Sequence, residues 1–402
     1  MFSFLQSPID VLIFLTVLTA LVAAHELGHY LFARIFKMEV EEFAIGFGPK
    51  KWVYARKHKS IEAHPNDPMQ QASTHETEFT LRPFPLGGFV RIKGMVPDSE
   101  AGETRIPNGF YSRAPWKRIL VLFAGPLFSV LAGYLVLIPL YTVMGRQAMD
   151  TKPYIGQMDV NGAGGKAGLK LEDEILSLDG KPVSTFFEVV QYVRVRPETP
   201  IRFEVKRGNE IKTISAVPTK DKEPTPVLNA DYEPTDERKI QGKLGFGPGT
   251  TLKQVTLGEA TAFATSLPFR MLDGMLGIVK NPARLKTDTG GVVTMFMTTK
   301  IARELGLVRL LEICGFLSIS IGVFNLLPIG MLDGSQMLIA TIEMLRGGKR
   351  LSLRIQEIVI GTGAVMLVAL IITITVFDIE RWFGPKDDKG RKIVTAPQRT
   401  EP

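Results

Sequence analysis

Two histidines and a glutamate lie in a hydrophobic segment near the N-terminus, in the sequence His25-Glu26-Leu27-Gly28-His29. Residues four apart share one face of a helix, so His25 and His29 can bind one metal ion together. Glu26 lies beside that face and can act as a general base on a water molecule at the metal. The alternative is a pair of core histidines with ordinary hydrogen bonds. Ionisable groups at membrane depth are costly and usually functional, which favours the metal site.

A catalytic zinc site usually has three protein ligands and one open position. The second candidate within the membrane is Asp333, at the end of the sequence NLLPIGMLDG over Asn325–Gly334. Its carboxylate needs a partner at this depth, and a divalent cation is a suitable one. The alternative is that Asp333 caps a helix that starts near Ser335. A proline and two glycines should break the preceding helix here: Pro328, Gly330 and Gly334.

Four segments approach the roughly 20 apolar residues that cross a bilayer. They cover residues 9–36, 119–144, 310–327 and 358–377. Arg309 and Glu312, three residues apart at the start of the third segment, are expected to pair. The single cysteine, Cys314, excludes an intramolecular disulfide. The sequence therefore predicts a polytopic α-helical membrane protein with about four transmembrane helices.

Lysines and arginines cluster after the first span, before the second, and between the third and fourth. Because positively charged loops stay in the cytoplasm, both termini and the segment 146–304 should lie outside. The net charge of +7 does not indicate nucleic-acid binding, because no basic stretch is interleaved with aromatic residues. We expect the lipid bilayer, and no nucleic acid, as a partner.

The loop between the first two spans contains two predicted strands, at residues 79–82 and 89–92. Prolines and glycines between them predict a hairpin or a loop with an exposed edge near the membrane. The polar stretch 57–76 holds three histidines without a repeated ligand spacing, and we interpret it as a solvated loop rather than a metal cluster. These histidines are His58, His64 and His75.

The outer segment divides into three parts. Residues 154–217 have the pattern of a small β-rich domain with a hairpin at Gly208-Asn209. Residues 218–243 are rich in proline and charge, which predicts a flexible linker. Residues 257–285 form an amphipathic pattern, interpreted as a helix on the outer membrane face, with a soluble packed helix as the alternative.

Together these residues resemble the site-2 protease family of intramembrane metalloproteases, over nearly the whole chain. Besides HELGH, the matching elements are Gly46-Phe47-Gly48-Pro49, Pro85-Leu86-Gly87-Gly88-Phe89-Val90, Ala124-Gly125-Pro126 and the segment Asn325–Gly334. The most similar branch is the bacterial regulator of sigma E protease group, whose members often carry two PDZ domains. This chain has room for one, at a sequence similar to the bacterial PDZ signature over Ala167–Leu176. Two positions depart from the family: Ser129 replaces the usual Asn, and Glu172 replaces the usual Gly.

The sequence pattern and the resemblance together predict a division of the chain into ten parts. The membrane part comprises the first transmembrane helix with HELGH (1–38), a cytoplasmic-side membrane-associated β-hairpin region (39–114), the second transmembrane helix (115–146), the third with the LDG sequence (305–334), a cytoplasmic connection (335–357) and the fourth helix (358–377). The extracytoplasmic part comprises one PDZ-like α/β domain (154–217), a linker (218–243), the amphipathic helix region (244–304) and a tail (378–402).

The resemblance also implies a mechanism. Zn²⁺ is held by His25, His29 and Asp333, while Glu26 takes a proton from water and passes it to the leaving amine. A transmembrane substrate must unwind before attack, and its backbone then needs new partners. The strand edge Leu86, Gly87, Gly88, Phe89 and Val90 can supply them by β-augmentation. Asn325 either hydrogen-bonds the substrate backbone or makes an interhelical hydrogen bond.

The expected function is therefore a zinc-dependent intramembrane endopeptidase acting on single-span membrane proteins, in a bacterial cytoplasmic (inner) membrane. Regulated proteolysis, such as cleavage of an anti-sigma factor or a remnant signal peptide, fits that activity. The PDZ-like domain either binds a peptide C-terminus or excludes bulky substrates. Two other functions are alternatives: a membrane-anchored PDZ binding protein with a degenerate site, and a metal transporter, which the lack of an inverted repeat disfavours.

Overall fold

The computed structural model describes residues 8–58, 75–95, 106–150, 152–221, 224–228, 234–383, 393–395 and 399–400. The helices are α1 (Pro8–Ile35), α2 (Pro115–Met144), α3 (Ala163–Lys166), α4 (Phe186–Arg194), α5 (Leu257–Lys280), α6 (Leu285–Asp288), α7 (Val292–Glu304), α8 (Leu307–Asn325), α9 (Asp333–Leu345) and α10 (Leu353–Phe383). A 3-10 turn covers Pro282–Arg284.

Short strands make up the rest of the regular structure. They are β1 (Val40–Phe47), β2 (Trp52–His58), β3 (His75–Leu81), β4 (Phe84–Ile92), β5 (Arg146–Met149), β6 (Ile155–Asp159), β7 (Glu174–Leu178), β8 (Lys181–Pro182), β9 (Ile201–Arg207), β10 (Glu210–Ala216), β11 (Thr219–Lys220), β12 (Thr225–Leu228), β13 (Pro234–Lys239), β14 (Gly242–Lys243), β15 (Phe246–Pro248), β16 (Thr250–Lys253), β17 (Ile393–Thr395) and β18 (Arg399–Thr400). The chain divides into two units: Met1–Leu140 with Leu257–Gly384, and Tyr141–Thr256 with Pro385–Pro402.

Four helices of the described residues are long and apolar enough to cross a membrane: Pro8–Ile35, Pro115–Met144, Leu307–Asn325 and Arg354–Phe383. This confirms the predicted number of spans and identifies an integral, polytopic membrane protein. The fourth helix is longer than predicted at both ends. Arg309 and Glu312 form the expected ion pair at the start of α8.

The third span ends earlier than predicted. Helix α8 stops at Asn325, and a new helix, α9, begins at Asp333. The intervening turn contains Gly330 at φ +62°, where a side chain would meet the backbone carbonyl of Gly363. Proline and glycine therefore break the helix as expected. However, the segment 335–357, predicted as a plain connection, is largely helical and buries Ile339 and Ala340.

The loop after α1 forms a four-stranded sheet in the order β2-β3-β1-β4. The two predicted strands exist as β3 and β4, but the prediction of a hairpin between them is wrong. Strand β1 lies between them, parallel to β3 and antiparallel to β4. The chain crosses from β3 to β4 over Gly46, where a Cβ would lie 2.7 Å from the Arg82 carbonyl oxygen. Because glycine lacks that atom and accepts φ +87°, the crossing chain can lie directly on the end of β1.

The polar stretch 57–76 is only partly a loop. Strand β2 extends to His58 and β3 starts at His75, and the two residues face each other in the antiparallel register. The loop prediction is therefore wrong for these two histidines. His64 lies outside the described residues.

The second unit has its own hydrophobic core between α4 and the strands around it. Its fully buried side chains include Ile155, Ile175, Leu178, Phe186, Val189, Phe203 and Val205. Asp173, also fully buried, is held by the Arg207 guanidinium at 2.7 Å. These contacts fix strands β6, β7 and β9 around one helix, which is an α/β arrangement.

The predicted linker over residues 218–243 is wrong in its described part. Four strands, β11 to β14, occur there, and Thr219 pairs with Lys243. Leu244 and Phe246 join the core of the second unit, and β15 pairs with β6. The proline and charge content suggested a flexible chain, but backbone pairing and two apolar anchors order it. Strands β17 and β18, from the predicted tail, pair with β6 and β16.

The amphipathic pattern at residues 257–285 corresponds mainly to α5. Its small apolar face, Ala260, Ala264 and Leu267, is buried. Met271 contacts Ser320 of α8 at 3.6 Å, so this helix packs along the third span. Its position on the outer membrane face stays a prediction.

Candidate metal centre

The structure brings His25, His29 and Asp333 into one cluster, with one potential ligand atom from each within 4.8 Å of the others. The Nε2 atom of His25 lies 3.0 Å from Asp333 Oδ2, and that of His29 lies 3.4 Å from the same oxygen. The two Nε2 atoms are 3.2 Å apart. All three side chains are 15% exposed or less. Residues more than 300 positions apart in the sequence therefore converge on one point.

Asp333 reaches the cluster because α9 begins at this residue. The N-cap position belongs to Leu332, and no side chain caps the helix there. The capping role considered for Asp333 is therefore not what the geometry shows, since its carboxylate faces His25 and His29. Ser335 holds the turn instead, by donating a hydrogen bond to the Gly330 carbonyl.

Helix α2 supplies the surroundings of both imidazole rings. The Nδ1 atom of His29 lies 2.8 Å from the backbone carbonyl of Val121, and Nδ1 of His25 lies 3.0 Å from Ser129 Oγ. Gly125 lies between these two positions, four residues from each. A Cβ there would be 2.3 Å from His29 Nε2, so only glycine leaves room for the rings. Similarly, a Cβ at Gly28 would lie 2.2 Å from the Ala124 carbonyl oxygen, so α1 and α2 approach closely.

The arrangement fits a zinc ion. A carbonyl oxygen can only accept, so Nδ1 of His29 carries a proton, and its Nε2 is the ring nitrogen that is available to a metal ion. Two ring nitrogens and one carboxylate oxygen are ligands that zinc prefers, and three protein ligands leave one position open. Two imidazole nitrogens and a carboxylate in such close contact are also best stabilised by a cation between them.

A cavity of about 320 Å³ opens beside the cluster. Besides the three clustered residues, its walls include Glu26, Phe89, Val90 and Asn325. Of the predicted substrate-binding edge, Phe89 and Val90 thus reach the cavity, while Gly87 and Gly88 belong to the same strand, β4. Nothing is described for the side chain of Leu86. The Asn325 amide donates to the Ile321 carbonyl of its own helix at 3.0 Å.

Sequence reasoning missed the roles of Val121 and Gly125, and it noted Ser129 only as a departure. A backbone carbonyl carries no sequence signal. The spacing of positions 121, 125 and 129, each four apart, places them on one face of α2. That periodicity was the available signal, and it becomes informative only once α2 is known to face α1.

Buried histidines, an aspartate and a glutamate between apolar helices are the arrangement of a metal-dependent hydrolase set within a membrane. Comparison with protein families agrees with this class. The model of peptidase family M50 matches residues 13–370. The chain therefore belongs to peptidase family M50, the site-2 protease family.

Curated relatives match almost the full length of the chain. A putative zinc metalloprotease of Rhizobium meliloti is 29% identical over 388 residues, covering 92% of this chain and 96% of its own. A putative zinc metalloprotease of Campylobacter jejuni is 30% identical, with 94% and 95% covered. The regulator of sigma-W protease RasP of Bacillus subtilis is 26% identical, with 93% and 99% covered. The predictions of a metalloprotease, and of zinc as its metal, are thus confirmed at the level of the family.

Proposed function

We propose that this chain is a zinc-dependent endopeptidase that cleaves transmembrane segments of single-span membrane proteins. The observation that carries the proposal is the cluster of His25, His29 and Asp333, with Glu26 in the same cavity between apolar helices. A peptide bond that reaches this cavity lies within the span of the protease. That position between apolar helices supports the substrate class.

His25, His29 and Asp333 are the residues that hold zinc in this proposal. Zinc, when bound, acts as a Lewis acid on the scissile carbonyl and makes water a stronger nucleophile at neutral pH. The Glu26 carboxylate accepts the proton from that water and then donates it to the leaving amine nitrogen. Glu26 and Val90 line the same cavity, so the carboxyl group lies beside strand β4.

Strand β4 is the proposed binding edge for an unwound substrate. Among the described strands it pairs only with β1, so its other edge has no strand partner. Its residues Phe89 and Val90 line the cavity that holds the cluster. A substrate strand added to this edge satisfies its backbone groups and carries its carbonyls past the metal centre. The Thr19 hydroxyl donates to the Pro85 carbonyl at 2.7 Å and ties the strand to α1.

Asn325, in the wall of the same cavity, is proposed as a second residue that binds the substrate. Its Nδ2 donates to Ile321, and its amide oxygen has no hydrogen-bond partner within the described part of the chain. That oxygen can accept a backbone N–H from an unwound substrate. The alternative role of Asn325 is a hydrogen bond to another helix, which would use the same side chain. The place of Asn325 in the cavity wall supports the substrate role.

We further infer a bacterial cytoplasmic membrane with both termini outside. The distribution of lysine and arginine supports this orientation. Regulated proteolysis, of an anti-sigma factor or a remnant signal peptide, is the proposed context. The similarity to a relative named for sigma-W regulation in Bacillus subtilis supports that context.

Removal of zinc is the direct test of the proposed activity. In proteoliposomes, the protein should cleave a tagged single-span substrate, lose that activity after treatment with a zinc chelator, and regain it when zinc is added back. Mass spectrometry of the products should place the cut within the apolar segment. His25→Ala should bind no zinc and should not be restored. Continued cleavage by zinc-free protein, or a cut outside the apolar segment, contradicts the proposal.

The second unit is proposed to be a PDZ-like domain that binds a peptide C-terminus, with substrate exclusion by size as the alternative. A groove of about 400 Å³ is lined by Val189, Val190 and Val193 of α4 and by the residues Leu244–Gly247. Strand β15, on this side, pairs with β6 and is an edge of its described sheet. Gly245, in the wall of this groove, has φ +80°, a left-handed conformation that favours glycine. These features support β-augmentation by a peptide.

Substitution in this groove separates the two alternatives. Val190→Arg places a long charged side chain in the groove and should weaken binding of a C-terminal peptide by about tenfold or more. Val195→Arg is the matched control, because Val195 ends the same helix, is 72% exposed and does not line the groove. Fluorescence anisotropy with labelled peptides gives the two dissociation constants. Equal constants for both variants favour the size-filter alternative.

A further inference from the structure

Ser129 has a contact that the proposed mechanism does not use. It lies on the second transmembrane helix, is fully buried, and its hydroxyl is 3.0 Å from Nδ1 of His25. The other ring nitrogen of His25, Nε2, lies 3.0 Å from Asp333 and 3.2 Å from His29 Nε2. The imidazole is thus held at both nitrogens, by the cluster on one side and by a serine on the other.

The two histidines receive matched support from the same face of α2. Val121 and Ser129 stand eight residues apart, about 12 Å along a helix, and each places an oxygen at one Nδ1 atom. The Val121 acceptor is a backbone carbonyl, which every residue has. The Ser129 oxygen belongs to a side-chain hydroxyl, so this half of the support depends on the residue type.

Ser129 also contacts the third span through its backbone. The hydroxyl of Ser318, on α8, donates to the backbone carbonyl of Ser129 at 2.7 Å. A Cβ at Gly322 would lie 3.1 Å from the Ser129 Cβ, so α8 passes close to this part of α2. A short acceptor suits this space, whereas a longer one, such as the asparagine usual in the family, needs more room.

We propose that Ser129 is a positioning residue for the metal centre: it accepts the Nδ1–H of His25 and holds the ring with Nε2 directed at Asp333. This inference rests on the proposed function, since it takes His25 as a zinc ligand. The hydrogen bond selects the tautomer whose Nε2 has a free lone pair and prevents rotation of the ring about its χ angles. Partners of this kind fix the orientation of a ligating histidine ring and raise its basicity.

The experiment measures zinc affinity in the full-length protein, by competition with a chelator of known affinity. Ser129→Ala removes the acceptor. Ser318→Ala is the matched control, because it removes one hydroxyl and one hydrogen bond between the same two helices without touching His25. We expect Ser129→Ala to raise the zinc dissociation constant at least about tenfold relative to Ser318→Ala. A smaller ratio overturns the proposal.

A second readout reports the hydrogen bond itself. In zinc-loaded protein labelled with ¹⁵N-histidine, the Nδ1 proton of His25 should resonate downfield, as a hydrogen-bonded proton does. It should move upfield in Ser129→Ala and stay in place in Ser318→Ala. An unchanged resonance in Ser129→Ala overturns the positioning role.

Failure of the proposed function is distinguishable from failure of this inference. His25→Ala serves for that purpose in the same zinc competition. If the wild type and His25→Ala bind zinc equally, the metal centre itself is wrongly placed. If His25→Ala loses zinc while Ser129→Ala and Ser318→Ala bind it equally, the metal centre stands and the role of Ser129 is refuted.

Discussion

Replacement of Glu26 by glutamine is expected to abolish cleavage of a transmembrane substrate while zinc stays bound. Glutamine has nearly the same shape, but its amide cannot accept and return the proton that the mechanism transfers. Glu26 lines the cavity without belonging to the cluster formed by His25, His29 and Asp333, so that cluster is left intact. General acid–base catalysis contributes about 10²–10⁴-fold, and the rate should fall by at least about 100-fold.

Initial rates of substrate cleavage and zinc content per protein, measured on the same preparation, test this expectation. Glu41→Gln is the matched control, because it makes the same chemical change at an exposed position of β1. It should retain the wild-type rate. A normal rate in Glu26→Gln refutes the role of Glu26 as the base, whereas loss of zinc from that variant assigns it to metal binding instead.

The cluster of His25, His29 and Asp333 was predictable because its constraints are local or chemical. The i, i+4 spacing of His25 and His29 holds on any helix, and α1 is helical throughout. Asp333 required a different argument, that a carboxylate within a membrane needs a partner. The structure places that partner nearby, with the aspartate 3.0 Å from His25. The cost of an unpartnered carboxylate within a membrane therefore predicted a contact between two residues, His25 and Asp333, that are more than 300 positions apart in the sequence.

Sheet order was not predictable in the same way. The strands β3 and β4 follow one another and are joined by a short turn, a pattern that normally forms a hairpin. Instead, β1 lies between them, because the chain can cross at Gly46, where no side chain obstructs it. The pattern of apolar residues specifies a strand but not its neighbour. An exposed strand edge near the membrane was also predicted, and β4 lies at one edge of the described sheet.

The described part of residues 218–243 shows why composition misled there. Proline and charge are typical of a flexible linker, yet Thr219 pairs with Lys243, and the chain then enters a hydrophobic core at Leu244. Strand pairing and the two apolar residues beyond the charged stretch, Leu244 and Phe246, join its described part to the second unit. Burial of such anchors depends on a partner surface elsewhere in the chain, which local composition does not reveal.

Gly125→Ala is expected to destroy the metal centre, although it adds a single methyl group. The new Cβ would lie 2.3 Å from His29 Nε2 and 2.7 Å from His25 Nε2, distances that force both rings to move. Alanine is favoured over glycine within a helix by about 1 kcal/mol, so α2 alone should gain stability from this change. Any loss therefore reports crowding at the histidines. We expect bound zinc to fall below about one tenth of the wild-type content, with cleavage lost in parallel, because packed interiors cannot absorb such a displacement.

Gly274→Ala supplies the control for this experiment. Gly274 is also within a helix, α5, but a Cβ there meets nothing within 4 Å. This variant should bind zinc and cleave substrate as the wild type does, and its melting temperature should be equal or higher. Zinc content is measured by elemental analysis, beside cleavage rate and thermal unfolding in detergent. If Gly125→Ala keeps a full complement of zinc, the imidazole rings of His25 and His29 do not lie against α2. That result also contradicts the contacts of these rings with Val121 and Ser129. If Gly125→Ala loses zinc while Gly274→Ala keeps it, the metal centre requires the space that Gly125 leaves beside the two histidine rings.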